Sequence, residues 1–368
     1  MKKIKVLNLF TIMHRAGAET LVMNYYRKID RDRFQFDFVV HRSEKGDYDD
    51  EIRKLGGNIY IMSPIYPQNF KKYKKEISNF FDQHNDYDII HSHCSELGYF
   101  FFEEAKRRGI KVLISHAHGL PFGINLKTPF RYYFKKRMKP LVTDFFVCGN
   151  AAGKWLFGNG EVENFQHMKN AIDTDIFKYD EISRNIIREK LGITNQLLIG
   201  HVGRFSDQKN HKFIIEILNE AKLAGLNCKC IFIGEGELEN DIKTLVINSS
   251  LQEQVIFEGT VDNVQDYMSA MDIFILPSKN EGFGNVLLEA QSTGLRCITT
   301  KDKVPSIVKV TDLLKYLSID DPKLWVSEIS KSSNYERYSR KMDICKAGYD
   351  ISENVKWLEN YYETAVGR

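Results

Sequence analysis

Residues 197–224 read LLIGHVGRFSDQKNHKFIIEILNEAKLA. The first six are mostly apolar, as in a short buried strand. A glycine-led polar loop follows. From Lys209 onward the apolar residues recur at helical spacing. Strand, loop and amphipathic helix in that order are the building step of a parallel α/β sheet. The step repeats in both directions. Toward the C-terminus, strands are expected at 228–233, 254–258, 272–276 and 295–299, with helices at 237–249, 263–270 and 284–293. Toward the N-terminus, strands at 4–10, 35–40, 58–62, 88–91, 111–115 and 144–148 alternate with amphipathic segments at 19–29, 48–55, 70–84, 95–108 and 128–139. A polar stretch at 178–196 separates the two series, and an amphipathic helix at 351–365 closes the sequence.

The bulk properties agree. A length of 368 residues exceeds what one hydrophobic core usually serves, so two domains are expected. Hydrophobic residues make up 43% and charged residues 27%, which excludes a disordered chain. The net charge of +3 is too small to argue for a nucleic-acid partner, and none is expected. Cys94, Cys148, Cys228, Cys230, Cys297 and Cys345 are scattered, without the second close pair that a zinc site needs. They read as reduced thiols of a cytoplasmic protein. Lys5 and Asn8 interrupt the first apolar run, which suits a strand better than a signal peptide. No run approaches the ~18 apolar residues of a membrane span.

In open α/β sheets, ligands bind beyond the carboxyl ends of the strands. The loops there carry the chemistry. Arg15-Ala16-Gly17-Ala18-Glu19 precedes the first helix, and Gly17 lets backbone approach a phosphate. The fifth strand ends in Ser115-His116-Ala117-His118-Gly119, and the fourth in His91-Ser92-His93. Four histidines so close invite a metal. No carboxylate in these loops completes a ligand set, so no metal is expected, and His91 and His93 read as polar loop packing. In the second series, Gly203-Arg204-Phe205-Ser206-Asp207-Gln208-Lys209 places a planar guanidinium and a point charge where they suit a pyrophosphate. Gly234-Glu235-Gly236 forms another strand-end turn, but Glu239 stands where a dinucleotide fingerprint needs a third glycine. The sharpest pattern is Glu281-Gly282-Phe283-Gly284-Asn285-Val286-Leu287-Leu288-Glu289. A helix starting near Gly284 would leave Glu281 before its N-terminus and Glu289 inside it, a span of about 12 Å at the helical rise. Helix N-terminal amides between the two would hold phosphates.

With Gly203-Arg204…Lys209, Glu281…Glu289 and Asn170-Ala171-Ile172-Asp173-Thr174-Asp175-Ile176-Phe177 in this order, the sequence resembles the GT-B glycosyltransferases of family 4, a retaining group, over nearly its whole length. The resemblance implies an α/β fold of two Rossmann-like, doubly wound parallel-sheet domains facing a cleft. It implies an N-terminal acceptor domain at 1–172, joined by a C-terminal helix at 352–368, and a donor domain at 173–351. It implies a nucleotide-sugar donor, with UDP the expected nucleotide. His116, more than His118, orients the sugar. Arg204 and Lys209 stabilise the leaving diphosphate. Glu281 positions the sugar and Glu289 bonds the ribose. Gly17, Gly234, Phe283, Gly284 and Asn285 complete the donor site. The acceptor would be a glycan or a lipid-linked sugar of capsule or exopolysaccharide assembly, and no cofactor is implied. Two features depart from the family pattern: the first loop is Ala16-Gly17 rather than Gly-Gly, and Ser306 stands where an acidic residue is expected.

The mixed aromatic and basic run at 128–139 suits peripheral contact with the inner face of the cell membrane. Two other functions fit the architecture. A UDP-sugar 2-epimerase would form product without an acceptor, and a non-catalytic partner of another transferase would not need the paired glutamates.

Overall fold

The alternating pattern closes into two parallel sheets in the computed structural model, which describes residues 2–119, 128–332 and 335–367. The chain divides into two compact units, Met1–Ala171 with Ile351–Arg368, and Ile172–Asp350. In the first unit the order is β1 (Ile4–Leu9), α1 (Gly17–Lys28), β2 (Phe34–Val40), α2 (Asp49–Lys54), β3 (Ile59–Ile61), α3 (Phe70–Gln83) and β4 (Ile89–Ser92). It continues with α4 (Tyr99–Arg107), β5 (Val112–Ala117), α5 (Thr128–Met138), β6 (Asp144–Val147), α6 (Asn150–Phe157) and β7 (Phe165–His167). The second unit contains α7 (Glu181–Lys190), β8 (Leu197–Val202), α8 (His211–Leu223), β9 (Cys228–Ile233), α9 (Glu239–Asn248), β10 (Val255–Gly259) and α10 (Val264–Ala270). It ends with β11 (Ile273–Leu276), α11 (Asn285–Ser292), β12 (Arg296–Thr300), β13 (Leu314–Leu317), α12 (Pro322–Ser330) and α13 (Lys341–Lys346). The last helix, α14 (Ile351–Val366), returns to the first unit.

The first sheet runs β3-β2-β1-β4-β5-β6-β7 and the second β10-β9-β8-β11-β12-β13. Each order reverses once, between β1 and β4 and between β8 and β11. Those reversals are where an open α/β sheet leaves a crevice for ligand. The central strands are buried on both faces, which is why they read as continuous apolar runs.

On one face of the first sheet, α1 and α14 pack on Val6, Phe36 and Phe38. Ile351, Val355, Leu358 and Tyr362 form the packing stripe of α14, and Tyr361 lies at its half-buried margin. Each such apolar side chain contributes about 1.5–3 kcal/mol when fully buried. The Glu359 carboxylate anchors the helix further by accepting the Asp30 N–H at 2.8 Å. No helix among the described residues is long and apolar enough to cross a membrane.

The stretch at 178–196, read as polar separation, contains α7. Asp180 caps it by accepting the Ser183 N–H at 2.6 Å. Of this helix only Ile187 is buried, while Ile182 and Ile186 face solvent. Charge holds it instead. Arg184 and Arg188 reach Asp272 at 2.5 and 3.0 Å and donate to the Ala270 carbonyl at the end of α10. The apolar pair Ile182 and Ile186 therefore does not mark the packed face of this helix. The edge strands β7 and β13, and the helices α6, α12 and α13, were also outside the expected set. Residues 95–98, expected as helix, form a 3₁₀ turn before α4.

Candidate functional site

At the reversal of the second sheet, the loops after β8 and β11 are stitched together. The Lys279 N–H donates to Gln208 O at 2.8 Å, Gln208 Nε2 to Asn280 O at 2.7 Å, and Asn210 Nδ2 to Pro277 O at 3.2 Å. Asn210 takes the left-handed conformation (φ 57°), which asparagine tolerates. This lattice brings Lys209 Nζ to 2.7 Å from Glu281 Oε1. Ser278 Oγ donates to the same oxygen at 2.6 Å, and the Glu281 N–H is fixed on Lys303 O at 2.9 Å. The two charged side chains are only 19% and 8% exposed. A cation and an anion half-withdrawn from water are strongly coupled, and removing one strands the other.

Glycines open the floor of this site. Gly234 sits at φ 130°, and a Cβ there would lie 2.5 Å from Gly203 O. Gly284, at φ 90°, is the N-cap residue of α11 and has no side chain with which to cap it. The first-turn N–H groups are therefore oriented as an anion seat, with the positive end of the helix dipole behind them. Asn285 and Glu289, four residues apart, lie on one face of α11.

One expectation is corrected in this unit. Phe283 was expected to touch the donor, but its ring is buried in the core against Tyr349 at 5.6 Å, so only its backbone faces the loop. Arg204 and Lys209, both expected at the diphosphate, are held by different carboxylates. Arg204 is 69% exposed, with its Nε 3.1 Å from Glu237 Oε2. The sequence reading also missed Ser278 as a partner of Glu281. It missed His201 and His211, which support the loop from below. His211 stacks on Phe205 at 4.2 Å, and His201 Nδ1 bonds Ile275 O at 2.9 Å. Burial keeps His201 neutral, with a pKa of about 4. The only sequence signal for them was a histidine at each end of the loop.

The corresponding reversal in the first sheet carries a cluster of histidines. His91 and His93 stack at 4.3 Å, and His116 lies 5.4 and 5.3 Å from them. Far from being loop packing, His91 and His93 are buried, with Phe10 stacked on His93 at 4.3 Å. Burial holds His91 at a pKa of about 3 and pushes His93 and His116 well below the usual histidine range. His116 was expected to touch the sugar, but its side chain is 0% exposed. It lies inside β5 and its side chain does not reach solvent, whereas His118, two residues on, is partly exposed. Gly17, also expected at the donor, is the exposed first residue of α1, and no packing demands a glycine there. It and His116 lie in the first unit, and every other expected site residue lies in the second.

Comparison with known proteins adds to this geometry. Residues 15–175 match the model of Glycosyltransferase Family 4, and residues 183–314 that of Glycosyl transferases group 1. EpsF of Bacillus subtilis (strain 168), named as a glycosyltransferase, is 31% identical over 98% of this chain and 97% of its own. The Escherichia coli UDP-Gal:alpha-D-GlcNAc-diphosphoundecaprenol alpha-1,3-galactosyltransferase is 25% identical over 81% of this chain and 79% of its own. Among solved structures, HepE of Anabaena in complex with UDP superposes with a TM-score of 0.76 at 16% identity, covering 99% of this chain and 100% of that one. That likeness extends to the two-sheet GT-B fold.

Proposed function

We propose that this chain, which belongs to glycosyltransferase family 4 and is a glycosyltransferase, transfers a sugar from a UDP-sugar to a lipid-linked glycan acceptor in cell-surface polysaccharide assembly, with retention at the anomeric carbon. The observation that carries this reading is the Lys209–Glu281 pair beside the glycine-led, uncapped N-terminus of α11. The helix amides seat the diphosphate. Lys209 and Arg204 neutralise the charge that grows on it as the glycosidic bond breaks, the task a metal ion performs elsewhere. No cofactor is needed in this reading. Glu281, rigidly held by Ser278 and Lys209, accepts from a sugar hydroxyl, and Glu289 from the ribose. His118, rather than His116, offers an imidazole to a hydroxyl-rich ligand. The leaving phosphate takes the acceptor proton as the new bond forms on the same face. Uridine and a lipid-linked acceptor are supported by the names of the E. coli and Anabaena proteins.

Peripheral membrane contact is supported by α5. Phe130, Tyr132 and Tyr133 are exposed and Lys136 lies beside them, next to a cavity of about 510 Å³ lined by Phe70, Tyr99 and Phe100. Lys135 donates to the Trp155 carbonyl at 2.6 Å, and the exposed Arg137 lies over the Tyr99 ring. The exposed aromatics are therefore the residues to change in a liposome-pelleting assay.

The direct test supplies radiolabelled UDP-sugars and an undecaprenyl-diphosphate-linked sugar. Labelled lipid product that disappears in Glu281→Ala supports transfer. An altered UDP-sugar formed without acceptor would instead show the epimerase. No turnover with any donor, and no effect of Glu281→Ala in cells, would favour the non-catalytic partner.

A further inference from the structure

The histidines of the first sheet do more than fill its core. His91 sits on β4, His93 just beyond it and His116 on β5, and one ring nitrogen from each lies within 4.8 Å of the other two. All three are buried, yet among the described residues His91 Nε2, His93 Nε2 and both nitrogens of His116 have no hydrogen-bond partner. Leaving that many polar atoms dry would cost about 1–3 kcal/mol for each group. The opposite nitrogens do have partners. His91 Nδ1 is 2.8 Å from Tyr362 Oη, and His93 Nδ1 is 2.8 Å from His118 Nε2. For His91 and His93, an outer partner holds one nitrogen and leaves the other without a hydrogen bond, as in a metal-ligating histidine.

We propose that His91, His93 and His116 form a buried binding site for one divalent transition-metal ion of borderline softness, such as Zn²⁺. Three imidazoles suit Zn²⁺, Co²⁺ and Ni²⁺, and they must be neutral to bind. Burial keeps them so. Tetrahedral coordination at about 2.0–2.1 Å puts ligand nitrogens about 3.4 Å apart, so from separations of up to 4.8 Å the three side chains must close by up to about 1.4 Å and turn their stacked rings toward the ion. The fourth position is left to water or hydroxide, since no carboxylate enters the set among the described residues. Phe10 stacks on His93, and Phe146 meets His91 and His116 edge-on, so the walls are apolar. Tyr362 belongs to α14, so the ion ties the C-terminal helix to the strand ends of β4 and β5. Its role is structural, because the ligands are withdrawn from solvent and the anion seat lies in the other unit.

The test uses the full chain, stripped of metal by chelator, and does not depend on any transfer assay. Co²⁺ is titrated while visible absorption is recorded, and bound metal is counted by mass spectrometry after dialysis. The expected result is one equivalent per chain with the absorption bands of a tetrahedral nitrogen site, displaced by Zn²⁺. His116→Gln and His93→Gln should abolish the bands. Tyr362→Phe should keep them and weaken binding by about tenfold. His167→Asn, an exposed histidine outside the cluster, should change nothing. Circular dichroism verifies that each variant is folded. Absence of a saturable equivalent in the wild-type chain overturns the proposal, as does binding that survives in folded His91→Gln/His93→Gln/His116→Gln.

Discussion

The two sheets reverse their strand order in the same way and fill the resulting crevices with opposite chemistry. At the β8/β11 reversal lie a lysine, a glutamate, left-handed glycines and an open helix end. At the β1/β4 reversal lie stacked neutral imidazoles and aromatic rings. Topology alone therefore selects the place for a ligand but not its nature. The first crevice suits a polyanion whose charge rises during reaction. The second is suited to a neutral or weakly polar group, or to a cation that takes lone pairs.

Substitutions can break this contrast, and the largest effect is expected at the charged site. Lys209→Ala should lower the transfer rate by about 10²–10³-fold, the usual loss on removing one transition-state donor. It should also destabilise the second unit, because Glu281 stays behind with little solvent. Steady-state kinetics together with denaturant unfolding would register both. Gly234→Ala comes next. A side chain there meets Gly203 O at 2.5 Å in a backbone conformation hostile to alanine, so a loss of about 2–4 kcal/mol in urea unfolding is expected.

The neutral crevice should announce itself in acid. His91, His93 and His116 have folded pKa values below the 6.5 of the unfolded chain, so the folded state binds fewer protons. Their contribution to stability is full above about pH 6.5 and is lost as the pH falls below it, at about 1.4 kcal/mol per pH unit for each. Glu19 works in the other sense. Burial raises it to about 7, so its contribution is full below 4.5 and fades as the pH rises through 7. Unfolding midpoints taken from pH 7 to 5 should fall steeply in the wild type and less so in His116→Gln. The smallest effect sharpens the contrast within the charged site. Arg204→Ala should leave stability within about 0.5 kcal/mol, since its pair with Glu237 is exposed, while nucleotide affinity drops.

Much of this was legible in the sequence. The central strands showed as apolar runs because both of their faces are covered. Glu281 and Glu289 could be placed about α11 because Gly284 marks its start. Other features left no local trace. The edge strands β7 and β13 are partly exposed and carry polar residues, so they lack the apolar run that marks the covered strands. The helix α7 hides because arginines on a half-buried aspartate hold it while its Ile182 and Ile186 face solvent, so no apolar stripe marks its packed face. Alternation along β5 did not tell which histidine faces solvent, and that misplaced the role given to His116. Parallel pairing of Ser92 with Ser115 is what sets His93 beside His116, and Tyr362 joins them from 271 residues along the chain. Pairing across a sheet and the return of a distant helix are set by the whole fold.

The most direct check of the central claim is calorimetric titration of UDP into the chelator-treated chain and into Lys209→Ala. The account predicts saturable binding of one UDP without metal, weakened about a hundredfold by the substitution while the fold persists. Equal affinity in both proteins, or no binding to the wild type, would contradict the assignment of the β8/β11 crevice as the donor site.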